Sequence, residues 1–249
     1  MEYQVFSVPP SSVRESWINI LRNAYSAPRR RYHTMAHIQS MVGQLDGIAD
    51  SMNVTGQQLQ ILQLAIWFHD VVYDIPTESG RNEIESALLF QEYAREAKLV
   101  WIAPSRRSSQ IPEVENAVIH LILCTLKHTT IPIFPSELQF TKRVTVEKLL
   151  QEHATTPHLL ENTELIALFL DLDLSVLGMS EDDYDTYAKQ IREEYSHYSS
   201  TEYNEGRIAL LQGFLQRERL YFTDYFYTKY ESMARKNIQR EIHSLQRAS

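Results

Sequence analysis

Apolar side chains recur every three or four residues in segment after segment of this chain, which is the spacing of amphipathic helices. Leu62, Ile66 and His69, for example, fall on one stripe of a segment that opens with Thr55, a typical helix N-cap residue. Only 7 of the 249 residues are glycine, whereas sheet proteins need many tight turns and usually carry more. The spacing and the composition together predict an all-α fold.

Ten helices follow from this pattern. They are predicted at residues 11–25, 35–52, 55–72, 82–99, 112–127, 136–152, 161–170, 181–197, 203–221 and 223–245. Loops are expected at 75–81 and 103–111, which contain proline, glycine or serine. Because the candidate functional residues lie on both sides of these loops, we predict a single domain over residues 1–249. Its core is expected over about residues 31–178, with helices over about 181–245 packed on it.

The composition argues against several classes of protein. The formal net charge of −8 argues against an extended nucleic-acid-binding surface. The lone cysteine, Cys124, allows no disulfide within the chain. No run approaches the roughly 20 apolar residues of a membrane span, and residues 1–7 lack the basic start and apolar core of a signal peptide. We therefore expect a cytoplasmic protein with no membrane partner.

Three segments place histidines and aspartates next to apolar residues. They contain, in order, His33 and His37, the adjacent pair His69 and Asp70, and the alternating pair Asp171 and Asp173. A buried carboxylate must be ion-paired, hydrogen-bonded or bound to a metal. A helix cap or a hydrogen-bond network would satisfy any one of these segments alone. Imidazole and carboxylate groups together suit a catalytic divalent cation.

The ordered pattern His…His-Asp…Asp, on helices of an all-α chain, resembles the HD phosphohydrolase superfamily over roughly residues 31–178. The resemblance implies an HD-type helical bundle with additional C-terminal helices. It also implies a divalent metal ion held by His37, His69, Asp70 and Asp173. Mn, Co, Ni, Mg, Zn and Fe are all candidates for this ion, and one ion per site is expected.

The segment Tyr32-His33-x-x-x-His37 resembles the one that opens the active site of cyclic-nucleotide phosphodiesterases, distant members of the same superfamily. There the first histidine donates a proton to the leaving oxygen, which implies that His33 is the general acid. Asp173-Leu174-Ser175 resembles their last ligand segment. The comparison therefore implies that Asp173 is the metal ligand. Asp171 would then either contact a ligand from the side away from the metal or contact the substrate.

Other stretches resemble a group identified as predicted metal-dependent HD phosphohydrolases. They are His69-Asp70-Val71-Val72-Tyr73-Asp74, Asn82-Glu83-x-x-Ser86-Ala87, Asp171-x-Asp173-Leu174-x-x-Leu177-Gly178 and Ala234-Arg235-x-Asn237. The chain lacks the adjacent histidines that many two-metal members carry before the last aspartate. His120 and His128 lie in that interval. We leave a pocket role for His128 open and expect His120 in the core or on the surface.

Supporting roles fall to polar residues near these motifs. The catalytic candidates are His33, Asp70, Asp74 and Glu83: Asp70 would also orient a water molecule, and Asp74 or Glu83 would move a proton or fix a histidine tautomer. Helix capping is an equal explanation for Asn82 and Glu83. The candidates for substrate binding are Arg31, Asn82, Lys127, His128, Asp171, Arg192 and Arg207. A surface ion pair is the alternative for each of the cations.

The expected function is metal-dependent hydrolysis of a phosphate ester, with a nucleotide or another small phosphorylated metabolite as substrate. Two alternatives are a non-catalytic, HD-like nucleotide-binding protein and a helical interaction protein. A carboxylate-bridged di-iron bundle needs two Glu-x-x-His motifs, and this chain has one, at Glu194 and His197, which we attribute to chance. The oligomeric state stays open, and a homo-oligomer is compatible with the sequence.

Overall fold

The computed structural model describes residues 11–77, 80–97, 111–130, 157, 160 and 163–248. Within these residues the all-α prediction is confirmed, because they form nine α-helices and no strand. The helices are α1 (Ser11–Tyr25), α2 (Met35–Ile48), α3 (Gly56–Phe68), α4 (Arg81–Glu96), α5 (Ile111–Cys124), α6 (Glu164–Leu174), α7 (Glu181–Glu194), α8 (Ser200–Leu215) and α9 (Asp224–Ala248). A short 3-10 helix, Ser175–Gly178, continues α6.

Two helix ends differ from the prediction in a way that matters for the site. The N-cap of α3 is Thr55 as predicted, and it forms a capping box with Gln58. However, α3 ends at Phe68 instead of residue 72, so that the His69–Asp70 pair lies just beyond the helix. In contrast, α6 continues to Leu174 instead of ending at 170, which makes both acids of the third segment helical. The predicted helix over 136–152 and nearly all of the predicted loop over 103–111 lie outside the described residues.

Helices α3 and α6 form the centre of the fold. Ile61, Leu62 and every residue of α3 from Leu64 to Phe68 are buried, as is every residue of α6 from Leu165 to Leu172. A helix that is apolar all round is stable only when neighbours cover all its sides. Accordingly, α3 packs against α2, α4, α5 and α6, and α6 packs in addition against α2 and α5.

The C-terminal helices pack on the end of α6. Helix α9 lies along the 3-10 helix, where the Asn237 side chain donates hydrogen bonds to the carbonyl oxygens of Leu177 and Met179, each at 3.0 Å. One buried apolar cluster includes side chains from all nine described helices. No described helix, not even the 25-residue α9, combines the length and the apolar character needed to cross a membrane.

Replacement of Gly178 by alanine tests this packing. A Cβ atom at this position would collide with the Cβ of Tyr230 on α9 and lie 2.9 Å from the Tyr230 carbonyl oxygen. We therefore expect Gly178→Ala to lower the free energy of unfolding by about 1–3 kcal/mol, the usual cost of overpacking. Urea denaturation followed by circular dichroism measures the change.

Gly43→Ala is the matched control. Gly43 lies within α2, and a Cβ atom there meets no neighbour within 4 Å. Alanine at an open helical position should leave the stability unchanged or raise it by up to about 1 kcal/mol. Equal stability of the two variants would contradict the close approach of α9 to the 3-10 helix.

Candidate metal centre

The four expected metal ligands come together from three helices. His37 lies in the first turn of α2, where the Thr34 side chain caps the helix. His69 and Asp70 follow the last residue of α3, and Asp173 lies in the last turn of α6. All four side chains are at least four-fifths buried.

Their ligand atoms have the spacing of a coordination shell. Nε2 of His37 lies 3.4 Å from Nε2 of His69 and 3.2 Å from Oδ1 of Asp173. Nε2 of His69 lies 3.0 Å from Oδ2 of Asp70. Ligands at about 2.1 Å from a metal are separated by roughly 3.0 Å in an octahedron and 3.4 Å in a tetrahedron. His37, His69 and Asp70 could therefore hold a divalent ion together, and Oδ1 of Asp173 lies within 3.5 Å of both imidazoles.

The tautomer of His69 also fits a metal ligand. Its Nδ1 lies 2.9 Å from the carbonyl oxygen of Ile66, which only a protonated Nδ1 can satisfy. In the neutral ring, Nε2 then carries a lone pair that faces His37 and the two carboxylates. A backbone carbonyl that fixes the second ring nitrogen is a usual feature of metal-bound histidines.

The electrostatics of the cluster favour positive charge at its centre. Burial disfavours the charged form of His69, but Asp70 and Asp173 outweigh this effect and raise the pKa of His69 well above its ordinary value. Burial lowers the pKa of His37. Burial alone would raise the pKa of Asp70 and of Asp173. The neighbouring histidines outweigh burial, so that the pKa of Asp70 lies below the usual value of a carboxyl group and that of Asp173 lies well below it. The negative ends of the α3 and α6 dipoles point to the same place, so that both backbone and side chains attract a cation.

His33 lies beside this cluster, but not where helical spacing would place it. It precedes the N-cap of α2, so that it does not share a helical face with His37. Its Nδ1 instead lies 2.7 Å from a carboxylate oxygen of Glu194, and its ring stacks on Tyr73 with the centroids 4.1 Å apart. Burial opposes the protonation of His33, but Asp70 and Glu194 raise its pKa above the ordinary value.

Glu194 is a site residue that the sequence analysis missed. One of its oxygens accepts hydrogen bonds from the backbone N–H groups of Arg31, Tyr32 and His33 at 2.6, 2.8 and 3.0 Å. The other accepts from the Tyr73 hydroxyl at 3.1 Å, in addition to its contact with the imidazole of His33. Burial alone would raise the pKa of Glu194, but the hydrogen bonds and the charge of His33 hold it at about 2. No sequence signal marks this role, because the partners lie 121 to 163 residues away.

Arg30 is a second residue that the sequence analysis missed. Its guanidinium is buried and donates hydrogen bonds to the carbonyl oxygens of His33, Asp70 and Val71 at 3.0, 2.6 and 2.8 Å. Two of these bonds satisfy carbonyl groups of the segment that follows α3, and the third satisfies that of His33 before α2. Arg30 thus connects the turn that contains His33 to the segment that contains His69 and Asp70.

His128 contacts the cluster from just beyond α5. Its Nε2 lies 2.9 Å from Oδ2 of Asp173, and its backbone adopts a positive φ of 48°. Arg217, which follows α8, donates to the carbonyl oxygens of Lys127 and His128 at 2.9 and 3.0 Å and so supports this turn. His120 is fully buried within α5, as one of its two expected placements required.

A cavity of 670 Å³ opens beside the cluster, a size typical of small-molecule sites. The predicted site residues that line it are His33, Asp70, Asn82, Glu83, His128, Asp173 and Arg207. Burial raises the pKa of Glu83. The side-chain amide of Asn82 forms two 3.1 Å hydrogen bonds with the backbone of Asp74 and so closes the loop between α3 and α4.

Three of the predicted phosphate-binding cations do not line the cavity. Arg31 is exposed and lies near Glu193, with a nitrogen–oxygen distance of 3.4 Å. Arg192 donates to the carbonyl oxygens that follow α7 and lies over the Tyr203 ring. Lys127 is exposed. Arg207 does reach the cavity, but its guanidinium is bound to Glu241 at 2.8 and 3.1 Å.

Two of the predicted carboxylates also lie away from the cavity. The Asp74 side chain is exposed, which does not fit the predicted proton transfer. Asp171 points to the opposite side of α6 from its neighbour Asp173. It accepts hydrogen bonds from the backbone N–H groups of Phe222 and Thr223 and from the Thr223 hydroxyl, at 2.8, 2.7 and 2.7 Å. Asp171 therefore holds the start of α9 in place. This is the hydrogen-bond network that the sequence analysis gave as the alternative to a metal or substrate role.

The two acids of α6 make a matched pair for a test. We expect Asp173→Asn to weaken Mn²⁺ binding at least about 100-fold, because it removes a charged ligand. Asp171→Asn should retain full Mn²⁺ binding but lose about 1–3 kcal/mol of stability, because it weakens the acceptor for buried donors. Equilibrium dialysis and urea denaturation measure the two effects. Normal Mn²⁺ binding by the Asp173 variant would contradict the assignment of the cluster.

No family model, curated protein or solved structure matches this chain.

Proposed function

We propose that this protein is a metal-dependent phosphohydrolase of the HD type, which hydrolyses the phosphate ester of a small metabolite. The observation that carries the proposal is the meeting of His37, His69 and Asp70 beside a cavity, with their ligand atoms all within 4.8 Å of one another. Asp173 adds a carboxylate oxygen 3.2 Å from His37 and 3.5 Å from His69. An interaction module has no need for such a buried cluster, since burying charged groups is costly. We also propose that the protein is located in the cytoplasm.

His37, His69, Asp70 and Asp173 would hold the ion. When bound, a divalent cation neutralises charge on a phosphate oxygen and makes a nearby water molecule more acidic. Asp70, whose carboxylate faces the cavity, accepts a hydrogen bond from the attacking water and directs its oxygen at phosphorus. The water oxygen forms a bond to phosphorus while the bond to the ester oxygen breaks.

His33 supplies the proton that the leaving oxygen needs. It lines the cavity, and Asp70 and Glu194 raise its pKa, which favours the protonated ring. Glu194 is a positioning residue: it holds Nδ1 of His33 and thereby leaves Nε2 as the nitrogen that can donate to the substrate. The Tyr73 ring stacked on the imidazole restricts its rotation.

A substrate screen with a matched pair of variants tests the proposal. Metal-stripped protein should hydrolyse phosphate esters only after Mn²⁺, Co²⁺, Ni²⁺, Mg²⁺, Zn²⁺ or Fe²⁺ is added back, as measured by release of phosphate or of the alcohol. Asp70→Asn should lower kcat/KM at least about 100-fold, because it alters both a ligand and the partner of the attacking water.

Asp74→Asn serves as the control, since its side chain is exposed four residues further along the chain. It should retain the activity of the unchanged protein. Turnover by the metal-stripped protein would rule out the proposed chemistry. So would an Asp70→Asn variant with the same kcat/KM as the unchanged protein.

The pH profile tests the roles of His33 and Glu194. Activity should fall as the pH rises through the raised pKa of His33, because only the protonated ring can donate. Glu194→Gln keeps an acceptor for the backbone donors but removes one of the two carboxylate charges, those of Asp70 and Glu194, that raise this pKa. The alkaline limb of the kcat/KM profile should therefore move to lower pH.

Glu193→Gln alters the neighbouring, exposed glutamate and should leave the profile in place. The idea that Glu194 holds His33 for proton donation fails if both variants have the profile of the unchanged protein.

A further inference from the structure

The cavity beside the cluster is much larger than a phosphate group requires. Its volume is 670 Å³. A phosphate group has five heavy atoms and occupies roughly the space of two or three water molecules, about 60–90 Å³. Most of the cavity therefore remains for the alcohol part of a phosphate ester, and the side chains around that space decide which alcohols fit.

Helix α8 lines the cavity with a row of residues that lie one turn apart. These residues are Glu202, Gly206, Leu210 and Phe214, each four positions after the one before. The carboxylate of Glu202 is hydrogen-bonded to Ser199 in the capping box at the start of the helix. Beyond this end, the row consists of one glycine and two apolar side chains.

Gly206 leaves an open space in this row. A Cβ atom at Gly206 would meet no described atom within 4 Å, so that no packing contact explains the missing side chain. Because Gly206 lines the cavity, the open space is part of the cavity. Gly213 lies on the same helix and is equally open, but it does not line the cavity. A larger side chain at position 206, in contrast to one at 213, would take up space that a bound molecule can use.

The side chain next to this space is an exposed leucine. Leu210 is 52% exposed, more than any other large apolar residue in the described part of the chain. Arg207, the cation on the same wall, is held by Glu241 at 2.8 and 3.1 Å. Ile191 of α7 adds a further apolar side chain to the lining. An apolar group that covers Leu210 would remove apolar surface from water, which favours binding.

From these observations we infer that the substrate is the phosphate ester of a bulky, apolar alcohol, and that this alcohol lies over Gly206 and against Leu210. Both residues are then specificity-determining residues of the candidate site. This inference rests on the proposed function for the position of the phosphate. Esters of short or strongly polar alcohols would leave Leu210 in contact with water and gain nothing from the space at Gly206.

Binding of two phosphonates tests the inference apart from turnover. A phosphonate has a phosphorus–carbon bond in place of the ester bond and is therefore not hydrolysed. The first compound, 4-cyclohexylbutylphosphonate, carries an apolar ring on a flexible chain that can reach α8, and the second is ethylphosphonate. With Mn²⁺ at one free concentration, calorimetry should show that the first binds at least about tenfold more tightly.

A matched pair of glycine variants locates the alcohol. Gly206→Leu should lower the affinity for 4-cyclohexylbutylphosphonate about tenfold and that for ethylphosphonate by less than about twofold, because it fills only the space beside α8. Gly213→Leu makes the same change on the same helix outside the cavity and should leave both affinities in place. Urea denaturation checks that both variants are folded.

A second pair tests the apolar contact. Leu210→Asn should lower the affinity for 4-cyclohexylbutylphosphonate by about three- to tenfold, because it replaces the apolar surface with an amide. Ile20→Asn is the control, since Ile20 is an exposed apolar residue of α1 that does not line the cavity. It should retain the affinity of the unchanged protein.

The results separate this inference from the proposed function. Equal affinity for the two phosphonates, no binding of either, or unchanged affinities in Gly206→Leu or Leu210→Asn would overturn the inference. Metal-dependent hydrolysis of ethyl phosphate and 4-cyclohexylbutyl phosphate with equal kcat/KM would also overturn it, but leave the proposed function standing. Preference for the larger phosphonate that is lost in Gly206→Leu, without turnover of any ester with any metal, would support the apolar site and reject the hydrolase.

Discussion

The fold places two carboxylates and two imidazoles almost in contact within a largely buried cluster, and that concentration of charge is its main electrostatic constraint. Oδ1 of Asp173 lies 3.2 Å from His37 and 3.5 Å from His69, so that the two rings share one oxygen. In the absence of an ion, a proton on His69 compensates part of the negative charge, which is why its pKa is raised. A divalent cation would take the place of that proton and satisfy the lone pairs of both rings at once. The central helices α3 and α6 end at the cluster, so that their backbone dipoles favour the same outcome.

The C-terminal helices complete the site in addition to covering the core. Glu194, the last residue of α7, binds both the backbone and the side chain of the turn that contains His33. Arg217, beyond α8, holds the turn of His128, and Asp171 on α6 fastens the start of α9. The ligand segments and the proton-donor candidate therefore depend on helices that are distant in sequence. A core over residues 31–178 alone would therefore lack Glu194 and Arg217, which hold the turns of His33 and His128.

Much of the fold followed from the sequence, because helical periodicity and capping act over a few residues. Thr55 was identified as an N-cap from its position before an apolar stripe, and the structure confirms it with a capping box. The geometry also agrees with the expected grouping of His37, His69, Asp70 and Asp173, since short motifs mark each segment. Glu194 and Arg30 were missed because most of their hydrogen-bond partners are backbone groups, which carry no sequence signal. Asp173 was chosen over Asp171 only by the resemblance of its motif, because the rotation of α6, which decides which of them faces the cluster, does not follow from the local sequence.

The most direct test of the metal centre is anomalous diffraction from crystals of the protein grown with Mn²⁺. The account predicts one strong anomalous peak per chain, at about 2.1–2.3 Å from Nε2 of His37, Nε2 of His69 and a carboxylate oxygen of both Asp70 and Asp173. Crystals saturated with Mn²⁺ that show no peak among these four side chains, with His69 instead ion-paired to the two aspartates, would contradict it.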